Sequence, residues 1–487
     1  MSLTRRSFLK DTLAAAATVT LAGTKSSGKV IGANDTIRLA VAGINGQGSA
    51  HVGIWAGMKG VELIYLIDPD SRTYSKNLKK IAAQGRKEPR LLKDVRQALE
   101  DKNLDAISIA TPNHWHALIT IWACQAGKDV YVEKPCSHNV HEGRIAVEAA
   151  KKYSRIVQHG TQSRSNSEMA RVVDVIKSGK LGKLLVSRGL CYKDGLGDPR
   201  STRASIGYAK PTDPPKELDF NLWLGPAMEQ PYHDNLVHYR WHLFWNFGNG
   251  DIGNQGIHEM DKARWAIPGA TLPRSVISLG GRLGHAQPDQ GETPSSQIAL
   301  MDFGETQLIF EVRGLPSKGY QGEKVGNTFH LEAGTIVGTK FYPKGSDKPA
   351  PLPDVGTAPR RGRGDHFANF IEAVRSRKTE DLHAPILEGH LSATLVHLAN
   401  ASYRLGELVP FNPQTKAFGD NKEAYETLAR MEEYLKENKV NLEETKYRLG
   451  RKLTIDAQSE RVAGDPAANQ LLTRIYRKPF VVPDKIV

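Results

Sequence analysis

Six residues, Gly43-Ile44-Asn45-Gly46-Gln47-Gly48, follow the apolar, β-branched run Thr36–Ala42. Glycines after a buried strand permit a tight turn. They let backbone N–H groups approach a pyrophosphate at a helix N-terminus. Asn45 and Gln47 sit in the same turn and are candidate cofactor contacts. A second run, Val61–Ile67, ends at Asp68, about 20 residues beyond Gly48, where a carboxylate accepts from an adenosine ribose and repels a 2′-phosphate. Arg72 lies close behind as a cation that can accommodate that phosphate, so NAD is expected and NADP stays open.

Two further strand-like runs end in polar groups. Leu104–Ala110 leads into Thr111-Pro112-Asn113-His114-Trp115-His116, and Asp129–Val132 into Glu133-Lys134-Pro135. Open α/β sheets bind ligands at the carboxyl ends of their strands, so Thr111, Pro112, Asn113, His116, Glu133 and Lys134 are candidates for the cofactor side of a cleft. An ammonium such as Lys134 can donate to a substrate oxygen and stabilise a developing alkoxide; burial lowers its pKa enough to shuttle a proton. His258, near the start of a predicted helix, can take a hydroxyl proton when neutral. The ring-rich run His238–Trp245 offers Arg240 to hydroxyls and Trp241 to the apolar face of a sugar. It reads equally well as a core β-strand. H-E-x-x-H, EF-hand and G-x-S-x-G patterns are absent from the sequence, so no metal site and no serine-hydrolase chemistry is expected.

The elements that must position these groups alternate strand and helix over residues 34–160, which predicts a parallel sheet in an N-terminal Rossmann dinucleotide-binding domain. From about residue 160 the pattern changes. A helix over 168–178 is followed by strands at 184–188, 275–279, 297–303, 307–312 and 330–337 with few helices between them. Residues 161–414 thus read as a C-terminal α/β domain on a large, mostly antiparallel open sheet. Residues 344–364 read as a surface loop. Residues 415–487 form a helical and extended extension, with Leu428, Met431 and Leu435 on one helix stripe.

The 487 residues are 39 % hydrophobic and 24 % charged, an ordinary globular composition. Lys and Arg exceed Asp and Glu by 66 − 53 = 13, without a basic run, so no nucleic-acid partner is expected. Three separated cysteines make a disulfide framework or structural zinc unexpected. Residues 1–33 read as a signal and linker. Thr4-Arg5-Arg6-Ser7-Phe8-Leu9-Lys10 resembles a twin-arginine export signal, and the apolar stretch after it is too short to span a bilayer. That route carries folded proteins, so a tightly held cofactor, the twin-arginine machinery as a partner and a periplasmic or otherwise exported location are expected.

Four stretches, GINGQG at 43–48, ATPNHWH at 110–116, EKP at 133–135 and GDIGNQGIHEMD at 250–261, together resemble the Gfo/Idh/MocA family of glucose–fructose oxidoreductase and inositol dehydrogenase relatives. The likeness reaches from the cofactor domain into the closing helices near residue 405. It implies an NAD(P)-dependent oxidoreductase acting on a secondary alcohol or ketone of a sugar or polyol. It further implies catalysis by Lys134 and His258, Gln162 and Arg164 lining the cleft, and a dimer or tetramer formed on the open sheet face. The family pattern D-x-G-x-H departs here, because Asn254 stands where the acid belongs. Either His258 works with Lys134 alone, or Asp251 supplies a carboxylate; Asp251 and Asn254 are both substrate-side candidates. The resemblance also leaves an NAD-retaining glycoside hydrolase or lyase, and a non-catalytic sugar-binding protein, as alternatives.

Overall fold

A computed structural model describes residues 36–193, 205–285, 287–356, 365–411 and 415–486. The twin-arginine segment lies outside the described residues. The first sheet is six-stranded and wholly parallel: β1 (Ile37–Ala42), β2 (Val61–Ile67), β3 (Arg90–Leu92), β4 (Ala106–Ile109), β5 (Asp129–Val132) and β6 (Val157–His159), in the order β3-β2-β1-β4-β5-β6. Its central strands are apolar along their length because helices cover both faces, as parallel sheets require. The order reverses beside β1, so the crevice between the carboxyl ends of β1 and β4 is the expected ligand position.

One covering helix comes from far along the chain. Asp365–Ser376 places Phe367, Phe370, Ile371 and Val374 against Ile37, Leu39, Val52 and Trp55. The sequence reading had assigned this stretch to the second domain; its apolar stripe packs on the first sheet instead.

The second sheet has eleven strands, including β7 (Leu184–Tyr192), β8 (Ser275–Gly281), β9 (Ser296–Asp302), β10 (Gln307–Arg313) and β11 (Val325–Leu331). Its ladders are antiparallel except for the parallel pair β7–β10. The strand expected at 330–337 is two, β11 and β12 (Gly334–Val337), folded at a turn where Gly334 takes φ +150°. The 415–487 extension is part of this architecture: Lys446–Leu449 pairs with β8, and Leu453–Asp456 adds to the same strand. Its helix Lys422–Glu437 lays Leu428, Met431 and Leu435 on Leu279, Ile298, Leu300 and Ile309. The sheet face expected to stand open therefore carries an apolar helix of its own chain. Beneath that helix Arg188 pairs with Glu311 at 2.7 Å, both fully buried, and Arg430 reaches Glu311 at 3.0 Å. The run His238–Trp245 is not a strand but a loop and a short 3₁₀ turn, Arg240–Leu243.

Candidate active site

The glycine turn is built by close approach. Gly43 has φ +76°, and a Cβ there would stand 2.6 Å from the Thr111 nitrogen. A Cβ on Gly48 would lie 1.6 Å from the Gly43 carbonyl oxygen. Gly46 differs, because a Cβ there meets nothing within 4 Å. It borders the open space of a cleft of about 680 Å³. Helix Gln47–Gly57 starts at this turn, with no side chain capping it and no acidic residue in its first turn, so its N-terminal N–H groups face the cleft. The Asp68 carboxylate accepts from the Ile44 N–H at 2.9 Å and the Asp70 N–H at 3.0 Å, which fixes the second strand end against the turn. Burial pushes its pKa up against those two bonds.

The cleft wall gathers Gly43, Asn45, Gly46, Gln47, Asp68, Thr111, Pro112, Asn113, His116, Glu133 and Lys134 from the carboxyl ends of four strands, and adds Trp241 and Asn254 from the second domain. The fit to a dinucleotide rests on the chemistry of this lining. An open glycine cradle lies at a helix N-terminus, an acid closes the second strand, and the Thr111 hydroxyl is buried without a partner. His116 ties two of the loops, one ring nitrogen 2.6 Å from the Pro135 carbonyl and the other 2.7 Å from that of Thr111.

Glu133 is the hub of the polar floor. It faces His51 Nε2 at 3.1 Å, and accepts from Gln162 Nε2 at 3.1 Å and from the Lys134 backbone N–H at 3.2 Å. Burial alone would raise its pKa; the His51 bond and the Lys134 charge hold it well below the usual carboxylate range. Lys134 donates from Nζ to the Asn254 carbonyl at 2.7 Å. Burial and the neighbouring Lys193 pull its pKa down, and Glu133 opposes them.

His258 does not line this cleft. It faces an adjoining space of about 410 Å³ with Gln162 and Glu259, and Gln255 forms part of both walls. Burial, then the Lys134 charge, takes its pKa down to about 3, so the ring is neutral across the ordinary pH range.

Four predicted site residues are engaged elsewhere. Arg72 is bound along Asp70, with Nη2 at 2.6 Å, and stays outside the cleft. Arg164 is locked in a buried two-pronged pair with Asp261, at 2.8 and 2.9 Å, and also reaches Glu388. Arg240 donates to Asn235 at 2.8 Å. Asp251 is fully buried, 3.9 Å from His242 Nε2, and that nitrogen lies 3.4 Å from the Asn254 amide. Asp251 thus stands behind His242 and Asn254 rather than in the cleft wall.

The cleft also holds residues the sequence reading did not select: Lys76, Lys193, Gln255, His238 and Tyr239. His238 Nε2 lies 2.8 Å from Asp70, bridging the domains. Tyr239 takes φ +79°, rare for a bulky side chain, and its hydroxyl is 3.5 Å from the Asn254 amide. The ring density of 238–245 marked the neighbourhood, but no periodicity says which ring of a 3₁₀ turn faces inward.

Together, fold and cleft define a two-domain protein with an NAD-binding Rossmann domain whose strand ends meet an α/β partner domain. The family model described as "Oxidoreductase family, NAD-binding Rossmann fold" matches residues 37–161, and that of the C-terminal alpha/beta domain matches residues 168–276. Over these two stretches the chain is similar to the Gfo/Idh/MocA oxidoreductase family. Levoglucosan dehydrogenase of Pseudarthrobacter phenanthrenivorans is 32 % identical over 231 residues, 45 % of this chain and 49 % of that protein. A glycosyl hydrolase family 109 protein of Shewanella pealeana is 27 % identical over 205 residues, 38 % of this chain and 45 % of that protein. The chain thus spans about half the length of the curated relatives it matches. The WlbA dehydrogenase of Bordetella pertussis, solved with NADH and UDP-GlcNAcA, shares the fold at TM-score 0.54 and 20 % identity, covering 77 % of this chain and 99 % of that one.

Proposed function

We propose that this protein is an NAD-dependent oxidoreductase acting on a secondary alcohol or ketone of a sugar or polyol. The observation that carries the reading is Lys134, a cation held at a strand end by one carbonyl in the wall of the cleft that Tyr239, Trp241 and Asn254 also line. The glycine turn, Asp68 and Thr111 hold the cofactor; NADP finds no support from Arg72, whose guanidinium is spent on Asp70. Bound NAD supplies a hydride acceptor, or as NADH a donor, at nicotinamide C4. Lys134 then donates to the substrate oxygen and stabilises negative charge on it. Glu133 positions Lys134 through its backbone N–H. The Lys134 side chain also handles the proton: its ammonium protonates the forming alkoxide in reduction, and the amine that its lowered pKa makes accessible takes the hydroxyl proton in oxidation. His258 faces the adjoining space. The Asp251–His242–Asn254 chain positions the carbonyl that holds Lys134.

A second reading, a redox-neutral glycoside hydrolase or lyase that retains NAD, is favoured by the family 109 relatives. The twin-arginine resemblance, which we take as export to the periplasm with cofactor already in place, favours it too. The two readings part in one assay. The NAD-loaded protein is offered a panel of sugars, polyols and aryl glycosides, with absorbance at 340 nm and glycoside cleavage followed together. Net NADH formation on a free sugar supports the oxidoreductase. Cleavage without net NADH supports the second reading, and neither signal rejects both.

The pH dependence follows from Lys134. Its pKa lies below the ordinary 10.5, so kcat/KM for ketone reduction falls as pH rises through that lowered value and the ammonium is lost. His258, neutral down to about pH 3, contributes no acid limb near 6.5. Lys134→Arg moves the basic limb upward, beyond the measurable range. A limb that stays in place in Lys134→Arg assigns it to another group.

A further inference from the structure

A second cavity, of about 570 Å³, lies where residues 470–475 of the C-terminal extension fold over helix Ile386–Arg404 and the segment 245–249. Asn249 stands between it and the cofactor cleft, accepting from Asn113 Nδ2 at 3.0 Å on one side and donating to the His138 carbonyl at 3.0 Å on the other.

The cavity has a surplus of hydrogen-bond donors. Arg474 spends its guanidinium on neutral acceptors: the Asn246 carbonyl at 3.0 Å, Asn246 Oδ1 at 2.7 Å and His138 Nδ1 at 3.3 Å. Arg404 lies over the Trp245 ring, 5.1 Å from its centroid. Among the described residues, neither arginine has a carboxylate within ion-pair distance. Because His138 Nδ1 receives the Arg474 N–H, the ring proton belongs on Nε2, and that nitrogen is buried without a partner. The acid on the wall, Glu292, accepts the Trp245 backbone N–H at 2.7 Å and acts on Arg404 at longer range, as Glu142 behind the wall does on Arg474. Buried donors are ordinarily satisfied, and a half-buried cation such as Arg474 is ordinarily paired, while Arg404 is exposed at the rim. An oxyanion satisfies all three groups at once, and Trp245 offers an apolar face to the body that carries it.

We propose that this cavity is a binding site for a small oxyanion-bearing molecule of monosaccharide size, a carboxylate or phosphate, separate from the cofactor cleft. Arg404 and Arg474 grip the anion, His138 Nε2 donates to it, and Trp245 stacks beneath the ring. The site stands apart from the proposed reaction, since none of these four residues lines the cleft.

The test is calorimetric titration of the full-length, NAD-loaded protein with inorganic phosphate, glucuronate and glucose 6-phosphate, with glucose as the neutral control. One saturable equivalent is expected for the sugar anions. Its affinity is expected to drop about tenfold or more in Arg404→Gln, return in large part in Arg404→Lys, and remain unchanged in Lys134→Met. NAD affinity is expected to be the same in Arg404→Gln as in the parent. Preference for glucuronate or for glucose 6-phosphate identifies the headgroup. The proposal is overturned if no anion saturates at millimolar concentration. It is equally overturned if binding is indifferent to Arg404→Gln, which is the behaviour of anions drawn to a chain of net charge +13 without a site, or if binding is lost in Lys134→Met, which places the anion in the cleft.

Discussion

Lys134→Met is expected to lower kcat/KM about 100- to 1,000-fold, with NAD affinity within about threefold of the parent. Methionine keeps the length and apolar stem of lysine and removes the charge and the donors. What is lost is the N–H aimed at charge that develops on the substrate oxygen, worth about 3–4 kcal/mol in a water-poor site. The surroundings tolerate the change. Glu133 keeps His51 and Gln162, and only the Asn254 carbonyl loses a partner. Steady-state kinetics beside a fluorescence titration of NAD separates the two quantities. A loss below tenfold removes Lys134 from the chemistry. A parallel loss of NAD affinity makes it a cofactor residue. A non-catalytic sugar binder would lose little in either measurement.

Gly48→Ala should abolish cofactor binding by breaking the turn, whereas Gly46→Ala should weaken it about 100-fold with the turn intact. At Gly48 the new methyl would sit 1.6 Å from the Gly43 carbonyl oxygen and 2.7 Å from its carbon. Both are backbone atoms, so strand β1 and helix Gln47–Gly57 must separate, at a cost of at least the 1–3 kcal/mol typical of overpacking, roughly. A clear fall in the thermal midpoint accompanies the loss of NAD. At Gly46 the methyl meets no protein atom within 4 Å. It occupies the space a pyrophosphate needs, so NAD affinity falls about 100-fold with the midpoint of the NAD-free protein unchanged. Equal midpoints and equal NAD affinity in both variants would sink the assignment of this turn to the cofactor.

The contrast between these glycines also shows how far a linear reading carries. The motif around 43–48 was legible because everything it needs is local: a buried apolar strand, a tight turn and a helix start within one stretch of chain. The same holds for Asp68 and for Thr111, Asn113, Glu133 and Lys134, since a parallel strand that ends in polar residues presents them at one edge of the sheet. Gly43, Asn45, Gly46, Gln47 and these strand-end residues line the cleft, whereas Gly48 packs behind the turn. Arg72, Arg164 and Arg240 had the right chemistry and nearby positions, and they are elsewhere. A guanidinium goes to the acceptor that best matches its fork. For Arg164 that is Asp261, 97 positions away, and nothing in the neighbourhood of Arg164 announces it. Tyr239 was hidden for the opposite reason, because its inward direction depends on an unusual backbone conformation rather than on residue type.

The sequence by itself determined the parallel Rossmann sheet, the glycine turn after its first strand, the acid at the second strand and the lysine at the fifth. Each follows from strand periodicity and from steric rules that act over a few residues. Only the tertiary structure decided that helix Asp365–Ser376 covers the first sheet, that helix Lys422–Glu437 lies on the face of the second, and that His258 opens on a space beside the cleft. Those outcomes depend on which apolar stripe meets which face and which cation meets which carboxylate. Such choices are made between segments hundreds of residues apart, by the free energy of burying area and pairing charge, which no local pattern records.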